Sequence, residues 1–352
     1  MTTIVKADAR ALDVPMKKAF GISGGAQEHA KNVLVSITLE DGTIGFGEAA
    51  PFPAFNGETQ ADALVALDRA LPSLVGHDAA ERFDLDLPAS ARCAVETALV
   101  DARARAEGVP LHRFFGGAEE DLVTDITIVT GTVEEAAHDA REHREFRTLK
   151  IKVGGHGVDH DVKRVLAIHE ARPDAALMLD ANGGFSVDEA LALTSELAKR
   201  GMKLAQFEQP IAAGNWEALA EVRAKSGLRI AIDESVSRAA DVEAAVRFHA
   251  ADAVNIKIMK SGIHEAIAIA RAAEKAGLDR MIGGLVETRL AMGTSACIAA
   301  GLGGFRVVDL DTPLFLAADP FAGGIRYALD VIDLRTIDVG HGCTPTSRTK
   351  SA

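Results

Sequence analysis

Residues 149–182 read LKIKVGGHGVDHDVKRVLAIHEARPDAALMLDAN. A short apolar run, Leu149–Val153, leads through a glycine-containing turn into a stretch with helical spacing, and a second apolar run, Ala176–Leu179, follows. That order is strand, turn, helix and strand, the βα alternation. The unit recurs from about residue 122 onward, with apolar runs at Leu122–Val129, Leu149–Val153, Ala176–Leu179, Leu204–Phe207, Arg229–Ile232, Ala253–Ile258, Arg280–Ile282 and Arg306–Leu310. Thr132 with Glu135 and Ser186 with Glu189 have capping-box spacing at helix starts, and Gly201 supplies a helix stop. Continuously apolar strands suit a parallel sheet covered on both faces, and eight of them favour a closed barrel over an open sheet.

The first 120 residues are ordered differently. Alternating strands at Val33–Leu39 and Thr43–Gly45 precede helical stretches near Gln60–Leu74 and Ala89–Ala106, which is α+β in order. Strand-like patterning returns at Ile325–Leu329. The expected organisation is an α+β capping domain over 1–120, an α/β barrel of the modified TIM type, (β/α)7β, over 121–317, and a segment 318–352 that returns to the cap and ends loosely.

Composition narrows the function classes. Hydrophobic residues at 48% and charged residues at 25% argue against disorder or a fibrous repeat. No apolar run approaches the roughly eighteen residues of a membrane span. A net charge of −13 repels a phosphate backbone, so nucleic acid is excluded as a partner. Met1 to Ala11 alternates charged and apolar residues without the pattern of a signal peptide, and Cys93, Cys297 and Cys343 lack the spacing and even count of a disulfide framework. A cytoplasmic protein with reduced thiols is expected. Glycines cluster at Gly24-Gly25, Gly154-Gly155 and Gly301–Gly304, but none completes a dinucleotide-binding fingerprint between a strand and a helix.

Barrel enzymes carry their chemistry at the C-terminal ends of the strands. Lys150 and Lys152 are two apart on one strand and so share a face, which in an apolar interior strand needs a reason. The next three strands end in Asp180, Glu208 and Asp233. Read separately these are helix caps or solvated turn residues; read together they are three oxygen donors that repel one another unless a hard dication such as Mg²⁺ lies between them. Asn182 and Glu234 stand beside them and fit either supporting groups or loop caps. Lys257 enters from the opposite side of the barrel. Burial and neighbouring positive charge lower a lysine pKa toward general-base work, and Lys152 and Lys257 would flank a substrate carbon from two faces. A carbon acid next to a carboxylate is weakly acidic because its deprotonated form, an enediolate, concentrates negative charge on oxygen. A cation at those oxygens, with Lys150 beside it, answers that need.

Lys150-Ile151-Lys152, the motifs at Asp180, Glu208 and Asp233, Lys257 in Asn-Ile-Lys, and the Gly283-Gly284 turn followed by Glu287 together resemble the muconate lactonizing enzyme subgroup of the enolase superfamily over essentially the whole chain. The resemblance implies a capped (β/α)7β barrel, Mg²⁺ held by Asp180, Glu208 and Asp233, Lys152 and Lys257 as an opposed acid/base pair, and Lys150, Gly283, Gly284 and Glu287 at the substrate. Asp309 and Asp311, two apart near the last strand, resemble the Asp-x-Asp signature of dipeptide epimerases such as those acting on L-Ala-D/L-Glu, where the pair holds the substrate's α-ammonium group. A carboxylate pair selects a cation over an acylated amine.

Members acting on Ala-Glu carry an arginine in the capping loop. Here that loop, Phe20-Gly21-Ile22-Ser23-Gly24-Gly25-Ala26-Gln27, has none, and its small neutral residues leave room for an uncharged side chain. The expected activity is Mg²⁺-dependent epimerisation of a dipeptide at the α-carbon of its C-terminal residue, not strictly of Ala-Glu. N-acylamino acid racemisation, o-succinylbenzoate synthesis and muconate-type cycloisomerisation are the rival reactions on the same barrel, and Asp309 and Asp311 speak against them. A non-catalytic scaffold is disfavoured by the retained lysines and carboxylates. Homo-oligomers occur in this family, though no interface is identifiable from the sequence.

Overall fold

The computed structural model describes residues 2–22, 25–117 and 120–346. It opens on a long antiparallel hairpin, β1 (Ile4–Ile22) and β2 (Gly25–Leu39), with β3 (Ile44–Ala49) beside β2. The two-residue period of β2 divides its side chains between two cores. Val33, Val35, Ile37 and Leu39 pack with Leu67, Leu71 and Leu74 in the cap, while Ala30 and Leu34 join the core that fills the barrel. Helix Ala89–Ala106 lies directly on β3, and it can do so because Gly45 and Gly47 present no Cβ to the backbone at Ala94, Ala98 and Ala102.

The chain then enters β4 (Asp121–Val123) and the barrel strands β5 (Ile126–Ile128), β6 (Thr148–Lys152), β7 (Ala176–Asp180), β8 (Leu204–Glu208), β9 (Ile230–Ile232), β10 (Ala253–Ile256), β11 (Asp279–Ile282) and β12 (Phe305–Val308). Neighbours from β5 to β12 pair in parallel and in sequence order, and an α-helix follows each strand from β5 through β11, whereas β12 leads only into a short 3-10 turn at Thr312–Phe315. This is the (β/α)7β barrel with an N-terminal cap. Thr132/Glu135 and Ser186/Glu189 both form reciprocal capping boxes, and Gly201 adopts a left-handed φ of 73° after helix Val187–Lys199.

The first apolar run departs from a single strand. Its start, β4, pairs with β15 (Val331–Asp333) in a small antiparallel sheet that also contains β14 (Arg326–Ala328), following β13 (Phe321–Ala322). Only Ile126–Ile128 continues into the barrel. The β5–β12 seam is closed by single bonds: Asp125 N donates to Val308 O at 3.0 Å and Leu310 N to Thr124 Oγ1 at 3.0 Å. The C-terminal segment runs back against the cap, where Leu111 N donates to Gly340 O at 2.7 Å and Arg105 donates to Cys343 O at 2.8 Å. Thr344–Pro345 pair with β13, and residues 347–352 lie outside the described residues.

Candidate active site

Parallel register puts Lys152 opposite Asp180 and Asp180 opposite Glu208 at the C-terminal ends of β6, β7 and β8. Asp233 follows the last residue of β9, and Lys257 follows β10. All five side chains are buried, and a lysine flanks the three consecutive carboxylates on each side. Lys152 Nζ is 2.6 Å from Asp180 Oδ2 and 3.1 Å from Asn182 Oδ1. Lys257 Nζ is 2.7 Å from Asp233 Oδ2, and Lys260 Nζ donates to Asp233 Oδ1 at 2.7 Å. Asn255 Nδ2 donates to Glu208 Oε1 at 2.6 Å.

Sequence reasoning passed over Lys260, Gln209 and Arg164, and gave Asn255, quoted in the Asn-Ile-Lys motif, no role. Asn255 is two residues before Lys257, so the strand period could have found it. The other three act through contacts between distant segments. Gln209 Oε1 accepts the Asp233 amide at 2.9 Å and its Nε2 donates to Ser235 Oγ at 2.8 Å, which fixes the loop carrying Asp233. Arg164 donates to Lys152 O at 2.5 Å and to Val129 O at 2.6 Å, joining the ends of β6 and β5. Asn182 and Gln209 adopt φ of 44° and 33°, conformations that cost a non-glycine residue about 1–3 kcal/mol and that concentrate at working sites.

The electrostatics differ from a lysine of lowered pKa. Burial pulls the Lys257 ammonium down, but Asp233 and Glu208 outweigh it and hold the group above its ordinary value. Lys150 is likewise held well above its ordinary value, with Asp309 overriding burial. Against burial, Lys257 and Lys260 keep Asp233 ionised below the usual carboxylate range. The carboxylates expected to bind a cation here support the lysines instead, so the lowered lysine pKa requires those carboxylates to be neutralised.

Glu208 and Glu234 carry the mark of a site for such a cation. Glu208 Oε2 and Glu234 Oε2 are buried and receive no hydrogen bond among the described residues. Burial, then Asp180, pushes Glu208 up to about 8, and burial, then Asp233 and Asp180, pushes Glu234 up to about 7. Crowded carboxylate oxygens of this kind fit a hard, oxygen-seeking dication such as Mg²⁺. Glu234 Oε1 also accepts Asn182 Nδ2 at 3.0 Å.

A pocket opens over this row, lined by Lys150, Lys152, Lys257, Asn182, Thr127, Asp309 and Asp311. Asp309 is ion-paired to Lys150, and Asp311 Oδ2 accepts the Thr127 amide at 2.6 Å. Burial and then Asp309 push the Asp311 carboxyl up to about 6. Among the described residues, the acidic group whose ligand atoms all lie within 4.8 Å of one another is Asp125, Asp309 and Asp311, not the β7–β9 carboxylates, of which Asp180 and Asp233 are paired to lysines. Asp125 was also missed, although a charged residue in the first apolar run was a legible signal.

The cap closes the pocket with Phe20, Ile22, Phe52 and Phe55, and Lys257 Nζ lies 5.2 Å from the Phe55 ring centre. Among the described residues, the cap side of the wall is set by Phe20 and Ile22 of the capping loop together with Phe52 and Phe55 from the segment after β3; Ser23 and Gly24 of that loop lie outside the described residues. Gly284 and Leu285 line the pocket, whereas Gly283 and Glu287 stand behind it. A Cβ on Gly283 would lie 2.7 Å from Asn255 Oδ1 and 3.1 Å from Lys257 Cε, so this glycine makes room for the site's own side chains. Glu287 is fully buried, accepts the Leu285 amide at 2.6 Å, and is pushed up to about 8 by burial. The same loop is anchored by the cap. Glu48 on β3 accepts Thr288 N at 2.9 Å, Thr288 Oγ1 at 2.5 Å, Ala291 N at 3.2 Å and Asn32 Nδ2 at 2.6 Å, and so caps helix Arg289–Leu302 from another domain.

Comparison with known proteins agrees with this geometry. Residues 1–116 match the N-terminal domain of the mandelate racemase / muconate lactonizing enzyme family, and residues 132–349 match the enolase C-terminal domain-like family. An aromatic dipeptide epimerase from Herpetosiphon aurantiacus is 42% identical over 351 residues, 97% of this chain and 98% of that protein. A mandelate racemase/muconate lactonizing enzyme from Roseiflexus sp. superposes with a TM-score of 0.92 at 46% identity, covering 99% of this chain and 100% of that one. The dipeptide epimerase from Enterococcus faecalis V583, solved with Mg and the dipeptide L-Leu-L-Tyr, superposes with a TM-score of 0.90 at 31% identity over 98% of this chain and 100% of that one. With both domains matched and relatives of this identity aligned from end to end, the chain belongs to the mandelate racemase/muconate lactonizing enzyme family of the enolase superfamily.

Proposed function

We propose that the protein is a Mg²⁺-dependent dipeptide epimerase that inverts the α-carbon of the substrate's C-terminal residue and prefers apolar side chains to glutamate. The observation that carries this reading is a single pocket in which three lysines, a carboxylate pair and four large apolar cap residues meet. Lys152 and Lys257 are the acid/base pair: one takes the α-proton from one face and the other returns a proton to the opposite face. Asp180, Glu208 and Asp233 would hold Mg²⁺, with Asn182 and Glu234 supporting them. Bound there, the ion supplies positive charge for the carboxylate oxygens as negative charge develops on them.

The chain's own residues account for selection. Asp309 and Asp311 receive a free α-ammonium group, which an N-acylated amino acid lacks. Lys150 neutralises Asp309 in the free protein and remains beside the reacting carboxylate. Phe20, Ile22, Phe52 and Phe55 offer apolar contact and no cation for a glutamate side chain, in keeping with relatives that act on aromatic dipeptides or bind L-Leu-L-Tyr. Gly284 admits substrate along the pocket wall, and Glu287 with Gly283 supports that wall from behind. Residues 1–120 and 318–352 form the cap in this reading, and 121–317 the catalytic barrel. Three buried free cysteines suit a reducing, cytoplasmic setting, and no described helix is long and apolar enough to cross a membrane.

The test is to incubate the protein with Mg²⁺ and pooled L,L-dipeptides in D₂O and to read deuterium at the α-carbon by mass spectrometry, with and without chelator. Chelator-sensitive uptake, strongest for apolar dipeptides, is expected. Uptake by N-acylamino acids but by no dipeptide would refute the assignment.

A further inference from the structure

We infer that Asp125 is a third carboxylate of the subsite made by Asp309 and Asp311, positioning that pair for a compact cation, the primary ammonium of the substrate. The inference rests on the dipeptide reading above and extends it to a residue beneath the pocket.

The barrel seam brings the three carboxylates together. Asp125 N donates to Val308 O at 3.0 Å, Leu310 N to Thr124 Oγ1 at 3.0 Å, and Thr127 N to Asp311 Oδ2 at 2.6 Å. These bonds set the register of residues 124–127 against 308–311, so Asp125 stands beside Asp309. It is 2% exposed, and among the described residues neither carboxylate oxygen receives a hydrogen bond from a donor. The ligand atoms of Asp125, Asp309 and Asp311 lie within 4.8 Å of one another, and Asp125 is within hydrogen-bonding reach of Asp309.

Buried carboxylates this close raise one another's pKa, and a proton or a cation between them relieves the repulsion. The charged groups facing Asp125 are Asp309 and Asp311 from the end of β12 and Lys150 from β6. Lys150 is already committed to Asp309 and lies 3.8 Å from Asp180. On its other side Asp125 lines a cavity at the barrel floor together with Gln206, Arg229 and Arg306, but both arginines pair with Asp279. Burial and Asp309 hold the Asp125 carboxyl well above its ordinary range, so in the free protein it is the proton carrier of the three. As the acid it donates an O–H to Asp309, holding that carboxylate in place and ionised. An arriving ammonium brings three N–H donors and a positive charge, and Asp125 then releases its proton.

The experiment is calorimetric titration of the Mg²⁺-loaded, full-length protein with L-Leu-L-Leu and with N-acetyl-L-Leu-L-Leu. It is run near pH 7 in two buffers of different ionisation enthalpy, for wild type and Asp125→Asn. The peptide amine is mostly protonated at that pH. Wild type is expected to release about one proton more than Asp125→Asn on binding L-Leu-L-Leu. The variant should bind that peptide about ten- to hundredfold more weakly while N-acetyl-L-Leu-L-Leu keeps its affinity. Equal affinity and an equal proton count in variant and wild type would overturn the role of Asp125. If the variant does not fold, the wild type alone decides, because binding of L-Leu-L-Leu without proton release also overturns it. Wild type binding both compounds equally would refute the dipeptide reading itself.

Discussion

Gly283→Ala tests whether the site depends on space held open behind it. Gly283 is not in the left-handed region, so alanine suits the backbone and only packing is at stake. The added Cβ would lie 2.7 Å from Asn255 Oδ1, 3.0 Å from its Nδ2 and 3.1 Å from Lys257 Cε, against the 3.4 Å at which ordinary contact begins. Asn255 must therefore retreat by about 0.7 Å and Lys257 by about 0.3 Å, from that difference. Neither is free to do so: Asn255 holds Glu208 at 2.6 Å, and Lys257 holds Asp233 at 2.7 Å. Overpacking of this kind costs about 1–3 kcal/mol. For a chain of this length that is a Tm loss of about 1–4 °C. A 1 Å misplacement of a reacting group costs about a hundredfold, so these smaller displacements should lower kcat/KM by about tenfold. Differential scanning calorimetry and α-deuterium exchange, run on one preparation, separate the two effects. A variant with kcat/KM within about threefold of wild type, its Tm lowered as expected, would refute the claim that Gly283 positions Lys257 and Asn255.

The remaining predictions concern proton transfer, the cap and pH. Lys152→Ala and Lys257→Ala should each abolish epimerisation, while each still exchanges the α-proton of one epimer in D₂O; a variant interconverting both epimers at the wild-type rate would remove the two-base assignment. Glu48→Gln turns one acceptor into an amide NH₂ and strands a buried donor, the amide of Ala291 or Thr288, costing about 1–3 kcal/mol. A lower denaturation midpoint with an unchanged m-value is expected, and an unaltered midpoint would show that the cap does not brace that helix. Asp311, raised to about 6, is ionised above that pH and neutral below it. Affinity for a free-amine dipeptide should therefore fall as pH drops through about 6, with no matching fall for its N-acetyl analogue; parallel profiles would detach Asp311 from ammonium binding.

Much of the site was legible because a barrel strand turns sequence position into spatial position. A charged residue at the end of a buried apolar strand can point to little but the barrel mouth, so Lys150, Lys152, Asp180, Glu208, Asp233 and Lys257 could be read one strand at a time. Asp309 and Asp311 were legible from the resemblance of their Asp-x-Asp spacing to the epimerase signature, and both lie just past the end of β12. The local chemistry of helix starts at Thr132 and Ser186 also needed nothing beyond four residues of context.

Tertiary structure decided what depends on which distant segments meet. Glu48 is 240 positions from Thr288, yet they share a hydrogen bond because the cap sheet turns one face to the barrel. Asp125 reads as an odd charge in an apolar run until the β5–β12 seam brings it to Asp309 and Asp311. The pocket wall of Phe20, Ile22, Phe52 and Phe55 belongs to a domain whose docking no periodicity encodes. The direction of the Lys257 pKa shift was likewise beyond one strand's reach, since it depends on the sum of burial and every carboxylate around it. Strand period and residue type act over a few neighbours, whereas charge balance and packing are properties of the assembled core.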